Sequence, residues 1–319
     1  MHAGGPYTPP VRIVSLLPSA TEIVFGLGLG DELVGRTHAC DFPPEAAVVP
    51  AVTRTTLPGN FSSRRIDMRL RHALHAGSPP YELDVDALQA AEPDLVLTQD
   101  VCEACGVARR RVLEALRAVG SEAEVVSLEP TSIEGIFHAI TTIGAMTSAE
   151  DEAIGFVELL RERLGSLEAQ VQRRRSAGMR ARRVVALEWM DPPFTSGHWV
   201  PEQIRRAGGW DVLGREGQRA VQTTWSAVME VDPEQVLLVP CGFDAQRTAD
   251  EWARASRPAG WAEMRAVRHG EVFALDANAY FTRPGPRVIE GIAMLAEIFD
   301  PQGFVDEAPP DAWIPVTEP

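Results

Sequence analysis

Four side chains of the kind that bind soft metal ions lie in two short segments: His38 and Cys40 in the first, Cys102 and Cys105 in the second. Imidazole and thiolate are the usual ligands of zinc and also bind iron, so one interpretation is a metal site. The Cys-x-x-Cys half precedes a predicted helix, whose amino terminus favours a thiolate. A redox pair and reduced structural thiols are the alternative interpretations. Cys241 is expected in the core.

A second segment, residues 188–200, concentrates two Trp, a Phe and a His in a turn rich in Pro and Gly. It follows the apolar run Val184–Leu187, which predicts a strand. Aromatic surface exposed on a loop costs solvation free energy unless a flat or apolar partner covers it. The segment therefore predicts a ligand wall, and the alternative is a hydrophobic lid over the chain's own core.

His198 in this segment offers an imidazole, the usual axial ligand of a haem iron and a suitable one for the cobalt of a corrinoid. The alternative is an ordinary hydrogen bond to backbone. Glu188 and Asp191 flank the turn as an acid and base pair, but a single His and scattered carboxylates do not make a catalytic constellation. The glycines of Gly26–Gly30 follow a helix and form no dinucleotide fingerprint, and no Ser nucleophile elbow is present, so no enzyme is predicted.

Composition excludes several classes of partner. Thirty Lys and Arg against 45 Asp and Glu give a net charge of −15, which argues against nucleic acid and anionic membranes. No run of 18 apolar residues predicts membrane insertion. Residues 1–10 show no basic segment, apolar segment or lipid-accepting Cys, which predicts a cytoplasmic protein as written, or an extracytoplasmic one if a longer precursor exists.

Short apolar runs alternate with amphipathic segments, a pattern that predicts mainly parallel sheets with helices on both faces. The predicted strands are Arg12–Leu17, Glu32–Gly35, Asp94–Thr98, Glu124–Leu128, Arg183–Leu187, Gln235–Val239 and Glu271–Leu275. The predicted helices are Ser19–Leu29 with a capping box, Val85–Ala91, Arg109–Val119, Pro201–Ala207 and Pro286–Phe299.

One long amphipathic helix is predicted from Ser148 to Ala177, with Thr147 capping its start and Gly178 ending it. At 1.5 Å per residue it would run roughly 40 Å, long enough to join two lobes. The predicted organisation is an amino-terminal α/β lobe over residues 1–147, an interlobe helix over 148–178 and a carboxyl-terminal α/β lobe over 179–319.

Together these segments resemble the class III substrate-binding proteins of ABC importers, most closely the branch that binds vitamin B12 (cobalamin). The match runs over nearly the whole chain, and four stretches carry it: Arg12–Glu22 (RIVSLLPSATE), Cys40–Pro44 (CDFPP), Pro93–Val96 (PDLV) and Pro192–Gly197 (PPFTSG). The resemblance implies two Rossmann-like α/β lobes joined by a rigid helix, with a ligand in the cleft between them.

The resemblance also implies site residues. By position, Phe42, Phe194, Tyr280 and Phe281 fall where aromatic residues line the family's cleft, and Trp189, Trp199, Trp225 and His198 are added from their place in the sequence. Arg283 and Arg287 are positioned for amide or phosphate groups of a ligand.

Family members dock on an ABC permease through one acidic residue on each lobe. Asp84 or Asp86 is the candidate docking residue of the first lobe. In the second lobe, Ser226 occupies the position where the acidic docking residue is expected, and Glu230 lies nearby. The basic segment Leu57–Tyr81 has no counterpart in the smallest relatives and predicts a flap.

The leading hypothesis is a non-enzymatic ligand-binding protein that holds a corrinoid, requires no cofactor and has a permease as its implied partner. Iron-siderophore and haem are alternative ligands in the same class. A rival hypothesis is a cytoplasmic protein that binds zinc or iron through His38, Cys40, Cys102 and Cys105.

Overall fold

The structure is a computed structural model that describes residues 11–59, 61–76, 80–100 and 107–316. The chain divides into two compact units. Unit 1 comprises residues 1–58, 72–129 and 139–156, and unit 2 comprises residues 59–71, 130–138 and 157–319. Among the described residues, no helix has both the length and the apolar character needed to cross a membrane.

The strands are short, and seven of those described follow the predicted apolar runs whereas five have no predicted counterpart. They are β1 (Ile13–Ser15), β2 (Leu33–Arg36), β3 (Thr53–Thr55), β4 (Tyr81–Leu83), β5 (Leu95–Thr98), β6 (Glu124–Ser127), β7 (Arg182–Met190), β8 (Pro193–Thr195), β9 (Gly209–Asp211), β10 (Gln235–Leu238), β11 (Val272–Leu275) and β12 (Trp313–Pro315).

The helices lie between these strands. They are α1 (Pro18–Gly26), α2 (Ser63–His75), α3 (Val85–Ala91), α4 (Arg109–Ala118), α5 (Ile133–Thr147), α6 (Glu150–Ser176), α7 (Val200–Arg206), α8 (Trp225–Glu230), α9 (Ala245–Arg254), α10 (Arg265–Arg268), α11 (Ala277–Tyr280) and α12 (Val288–Phe299).

Unit 1 contains a parallel sheet with the strand order β2-β1-β5-β6. Its central strands β1 and β5 are buried along their whole length, as expected for a parallel sheet covered on both faces. Ile13 pairs with Leu33 on one side and with Leu95 on the other. A separate antiparallel ribbon pairs β3 with β4.

Unit 2 contains a sheet with the order β12-β11-β10-β7-β8, and β9 also pairs with β7. Strands β7, β9, β10 and β11 run parallel, whereas β8 and β12 are antiparallel to their neighbours. The core of β7, Val184–Leu187, has no exposed surface. The prediction of two α/β lobes with mainly parallel sheets is confirmed.

Helix α6 joins the units: its residues up to Phe156 belong to unit 1 and those from Val157 to unit 2. Its 27 residues correspond to about 40 Å, as predicted. Gly178, with φ 105°, follows its last turn as predicted. The predicted cap was wrong, because Thr147 ends α5 and its hydroxyl donates to Ile143 O at 2.8 Å.

Two other local predictions were also wrong. Helix α1 begins at Pro18 rather than after a Ser19 cap, and its N-cap residue Leu17 makes no side-chain cap bond. Strand β7 extends beyond Leu187 to Met190, because Trp189 and Met190 pair with Phe194 and Pro193 of β8. The aromatic segment thus begins as a β-hairpin and not as an exit loop.

Tryptophan packing dominates the core of unit 2. Trp252 and Trp261 are 1% and 2% exposed, their ring centroids lie 4.9 Å apart, and Trp225 contacts both at 5.6 Å. Buried aromatic side chains of this size contribute much of the stability of a core.

We predict that Trp252→Ala lowers the free energy of unfolding by about 3–5 kcal/mol, because it leaves a cavity the size of an indole. All seven tryptophans lie within unit 2, so tryptophan fluorescence during urea denaturation reports on this unit. The control is Trp210→Ala, whose side chain is 61% exposed and should change stability by no more than about 0.5 kcal/mol. Equal effects of the two variants would contradict the assignment of the core.

Candidate functional site

The carboxyl-terminal edge of the unit 2 sheet brings together the loops that follow β7, β10 and β11. Because these strands are parallel, their ends meet at one edge, where ligands of open α/β sheets bind. Val239 N donates to Leu187 O at 2.9 Å, and Asn278 N donates to Phe243 O at 3.0 Å. The first bond holds the end of β10 against β7, and the second holds the loop after β11 against the loop after β10.

An aromatic platform lies at this edge. Trp189 pairs with Phe194 across the β7–β8 hairpin, and both side chains are partly exposed. On the core side, Phe243 is only 2% exposed, and its ring meets that of Trp189 edge-on at 5.5 Å between centroids. The guanidinium of Arg247 lies 3.8 Å from the Phe243 ring centroid, a cation–π contact that holds this ring in place. Trp189 Nε1 is buried and has no hydrogen-bond partner within the described chain.

Polar side chains border the platform on the β11 side. The guanidinium of Arg283, a buried residue, donates to Asn278 Oδ1 at 2.9 Å. Asp276 caps α11 by accepting from Ala279 N at 2.8 Å, and burial raises the pKa of this carboxyl. Such groups, set beside aromatic surface, can fix the orientation of a ligand's polar rim.

Tyr280 is half-buried, and the guanidinium of Arg287 lies 5.6 Å from its ring centroid. Burial raises the pKa of the Tyr280 phenol, while the positive charge of Arg287 opposes this shift. Tyr280 and Arg287, which were predicted separately as ligand contacts, therefore contact each other, and their role toward a ligand stays a prediction.

Two of the predicted aromatic residues lie behind this surface. Phe281 has no exposed area, and Trp199, 7% exposed, donates from Nε1 to Phe281 O at 2.7 Å. Their side chains support the loops from the core side. Trp225 is half-buried and belongs to the tryptophan cluster with Trp252 and Trp261.

His198 occupies the left-handed backbone region, with φ 51°. Its backbone exchanges bonds with the loop 217–218: His198 N donates to Gln218 O at 2.6 Å, and Gly217 N donates to His198 O at 2.8 Å. The preceding Gly197 donates to Glu188 Oε1 at 2.7 Å. A Cβ at Gly197 would collide with the backbone of Ala220, so this turn requires glycine.

Burial, and secondarily the charge of Arg219, lowers the pKa of His198. The imidazole is therefore neutral at pH 7 and carries a lone pair. Its Nε2 is buried and has no hydrogen-bond partner in the part of the chain that the structure describes.

In unit 1, the predicted residues follow the end of β2. Phe42 is 41% exposed. His38 Nδ1 lies 2.8 Å from Thr53 Oγ1, its ring stacks on Tyr81 at 5.6 Å, and burial together with the nearby charge of Arg36 lowers its pKa.

Cys40 is buried, with Sγ 3.0 Å from Thr21 Oγ1 of α1. Cys102 and Cys105 lie outside the described residues. Within the described ranges, no three His, Cys, Asp or Glu side chains form a group that could hold a metal ion. The four-residue metal site stays a prediction.

Three residues at the unit 2 edge are absent from the sequence-based predictions: Phe243, Arg247 and Asn278. The signal for Phe243 was its place five residues after the strand β10, at the same edge as Trp189. The prediction that Cys241 is a core residue was wrong, because the residue is exposed in this loop.

A separate groove of about 530 Å³ lies between α6 and α7 in unit 2. Its lining residues are Gly165, Glu168, Ala169, Val171, Gln172, Arg175, Arg205 and Arg206. None of the predicted ligand contacts borders it. Its arginines are partly neutralised, since Arg206 pairs with Glu168 and Arg205 with Glu216.

Comparison with known proteins reveals relatives over most of the chain. It is 28% identical over 304 residues to an uncharacterised ABC transporter substrate-binding lipoprotein of Bacillus subtilis, covering 92% of this chain and 82% of the relative. It is 24% identical over 289 residues to a vitamin B12-binding protein of Vibrio cholerae, covering 89% and 87%.

Among solved structures, a periplasmic haem-binding protein from Pseudomonas aeruginosa superposes with a TM-score of 0.68 at 21% identity, covering 92% of this chain and 94% of that one. This likeness confirms the class III fold predicted from the sequence. The vitamin B12-binding relatives confirm the resemblance to that branch. A sequence model for the periplasmic binding protein family matches residues 13–279, and the chain belongs to that family.

Proposed function

We propose that this protein binds a flat, metal-bearing ring ligand, a corrinoid, at the carboxyl-terminal edge of the unit 2 sheet. The observation that carries the proposal is the platform formed by the partly exposed rings of Trp189 and Phe194, against which the buried ring of Phe243 packs from the core side. Aromatic faces of this kind contact a ring by dispersion and by burial of apolar area. Arg283 and Asn278 beside it suit the amide and phosphate groups on the rim of a corrinoid.

Sequence similarity supports the corrinoid over other ring ligands, because the Vibrio cholerae relative is a vitamin B12-binding protein. Haem is the second candidate. The partly buried Arg287 beside the Tyr280 ring favours it, since a guanidinium can pair with a propionate. Siderophore binding stays a weaker prediction.

We further propose that the protein acts by binding and release, outside the cytoplasmic membrane, and delivers its ligand to an ABC permease. The substrate-binding lipoprotein of Bacillus subtilis supports this location and partner over the cytoplasmic location predicted from the sequence. Exposed acidic residues for docking are Asp86 on α3 and Glu230 on α8. No catalytic role is assigned.

Removal of the Trp189 side chain tests whether the platform contacts the ligand. Trp189→Ala should weaken cyanocobalamin binding by about 10–100-fold, because one aromatic contact contributes on the order of 1.5–3 kcal/mol. Isothermal titration calorimetry measures the dissociation constant. The control is Trp210→Ala, which removes an exposed indole from β9 of the same unit. Unchanged affinity in Trp189→Ala, with both variants folded, would refute the platform as the site.

An axial bond from His198 to the cobalt of a corrinoid would be visible by absorbance. Hydroxocobalamin, whose axial ligand exchanges, should show an absorbance shift on binding at pH 7, and cyanocobalamin should not. The absorbance shift requires a neutral imidazole. It is therefore present above the pKa of His198, which lies below the ordinary value of 6.5, and it is lost as the pH falls through that pKa. His198→Gln should lack the shift at every pH. A shift that persists in His198→Gln would exclude this residue as the axial ligand.

A further inference from the structure

Helix α2 carries an unusual concentration of positive charge for this acidic chain. Its sequence, SRRIDMRLRHALH, contains four arginines and one aspartate, whereas the whole chain has a net charge of −15. Exposed charges farther apart than the Debye length, about 8 Å at physiological ionic strength, are largely screened from each other. The positive charge of α2 therefore acts on its immediate surroundings despite the negative net charge of the chain.

Two contacts hold residues 63–71 of α2 against other elements of unit 2. The backbone N and the hydroxyl of Ser63 both donate to Glu251 Oε1 of α9 at 2.7 Å. Eight residues later, Arg71 Nη2 donates to Gln222 Oε1 at 3.0 Å. Between these anchors, Ile66 packs against the unit 2 core cluster that contains Trp252.

Both anchors adjoin the candidate ligand site. Gln222 forms a β-bridge with Phe194 of the platform. Glu251 lies on α9, the helix that also supplies Arg247 to the Phe243 ring. Residues 63–71 of α2 therefore extend from α9 to the β8 side of the same platform.

The anchored helix directs its arginines outward. Ile66, Asp67 and Leu70 are half-buried on the side that packs, whereas Arg64, Arg65, Met68 and Arg69 are exposed. Arg71 pairs with Asp67 at 2.8 Å, so the single acidic group of α2 neutralises an anchor residue. The three remaining arginines, Arg64, Arg65 and Arg69, are called the α2 arginines below.

We propose that the α2 arginines select ring ligands whose rim carries free carboxylates, and hence a net negative charge, over fully amidated ligands with no net charge. This inference rests on the proposed function. Positive charge beside a binding site raises the local concentration of an anionic ligand and accelerates its association by a factor of 10 or more. Exposed guanidiniums act mainly on the association rate.

The test compares two corrinoids with the same ring and different rims: neutral cyanocobalamin, and dicyanocobyrinic acid, whose side chains are free carboxylates. Stopped-flow association is measured at low and high salt for the parent protein and for Arg64→Gln/Arg65→Gln/Arg69→Gln. We expect dicyanocobyrinate to associate about 10-fold more slowly with the triple variant at low salt and to lose most of its salt dependence. Cyanocobalamin should retain its rate, which also shows that the variant is folded.

The matched control removes three exposed arginines from the opposite end of the unit 2 sheet: Arg173→Gln/Arg180→Gln/Arg268→Gln. These residues lie before the first residues of β7 and β11. If this control slows dicyanocobyrinate as much as the α2 variant does, net charge is responsible and the inference is overturned. Equal rates for the parent and the α2 variant overturn it as well.

A parent protein that binds neither corrinoid refutes the proposed function, and haemin, which carries two carboxylates, then tests α2 alone. Haemin association that is slowed in the α2 variant and not in the control supports the inference. Haemin association that is equal in all three proteins, or absent from all three, overturns it.

Discussion

Parallel pairing of β7 with β10 positions every part of the unit 2 site. Gln235 to Leu238 lie opposite Val184 to Leu187 in unbroken register, and all eight residues are buried. Because both faces of this pair are covered, a slip by one residue would exchange the side chains between two different packing surfaces. The register is therefore strongly specified, and it determines where Trp189 and the loop containing Phe243 emerge.

The loops of the unit 2 site rest on a rigid base. Trp199 and Gln203 donate from side chains to the backbone of the 280–288 segment, at 2.7 Å to Phe281 O and 2.9 Å to Tyr280 O. These bonds hold the loop after β11 from the core side. Trp189 Nε1, in contrast, has no partner among the described residues, and an unsatisfied buried donor costs about 1–3 kcal/mol. Loops held rigid before binding lose less conformational freedom when a ligand binds.

Much of the fold could be predicted because its central strands β1, β5, β10 and β11 are buried on both faces and appear as apolar runs, whereas the short, partly exposed strands β3, β4, β9 and β12 gave no such signal. The bounds of α3 agreed to the residue, and α6 followed from its apolar spacing. Local capping was less predictable. Thr147 and Ser19 both fit cap patterns, yet a hydroxyl can bond a preceding backbone carbonyl instead of a following amide, and tertiary packing decides between the two.

Less of the site could be predicted, because pairing across the sheet has no local signature. The β7–β8 hairpin converts an apparent loop into a continuation of the strand, and this places Trp189 beside Phe243, 54 residues later in the chain. Burial also separates similar residues: Trp199 and Phe281 lie in the core, whereas Phe194 and Tyr280 remain half-exposed. Aromatic content alone indicated a ligand wall, but only the three-dimensional arrangement shows which rings can face a ligand.

Hydrogen–deuterium exchange with and without saturating cyanocobalamin locates the bound ligand on the chain. We expect slower exchange in three segments that are distant in sequence, residues 188–199, 240–247 and 276–287. We expect no change in peptides that line the groove between α6 and α7. Saturable binding that leaves the three segments unchanged, or that protects the groove instead, would contradict the assignment of the site.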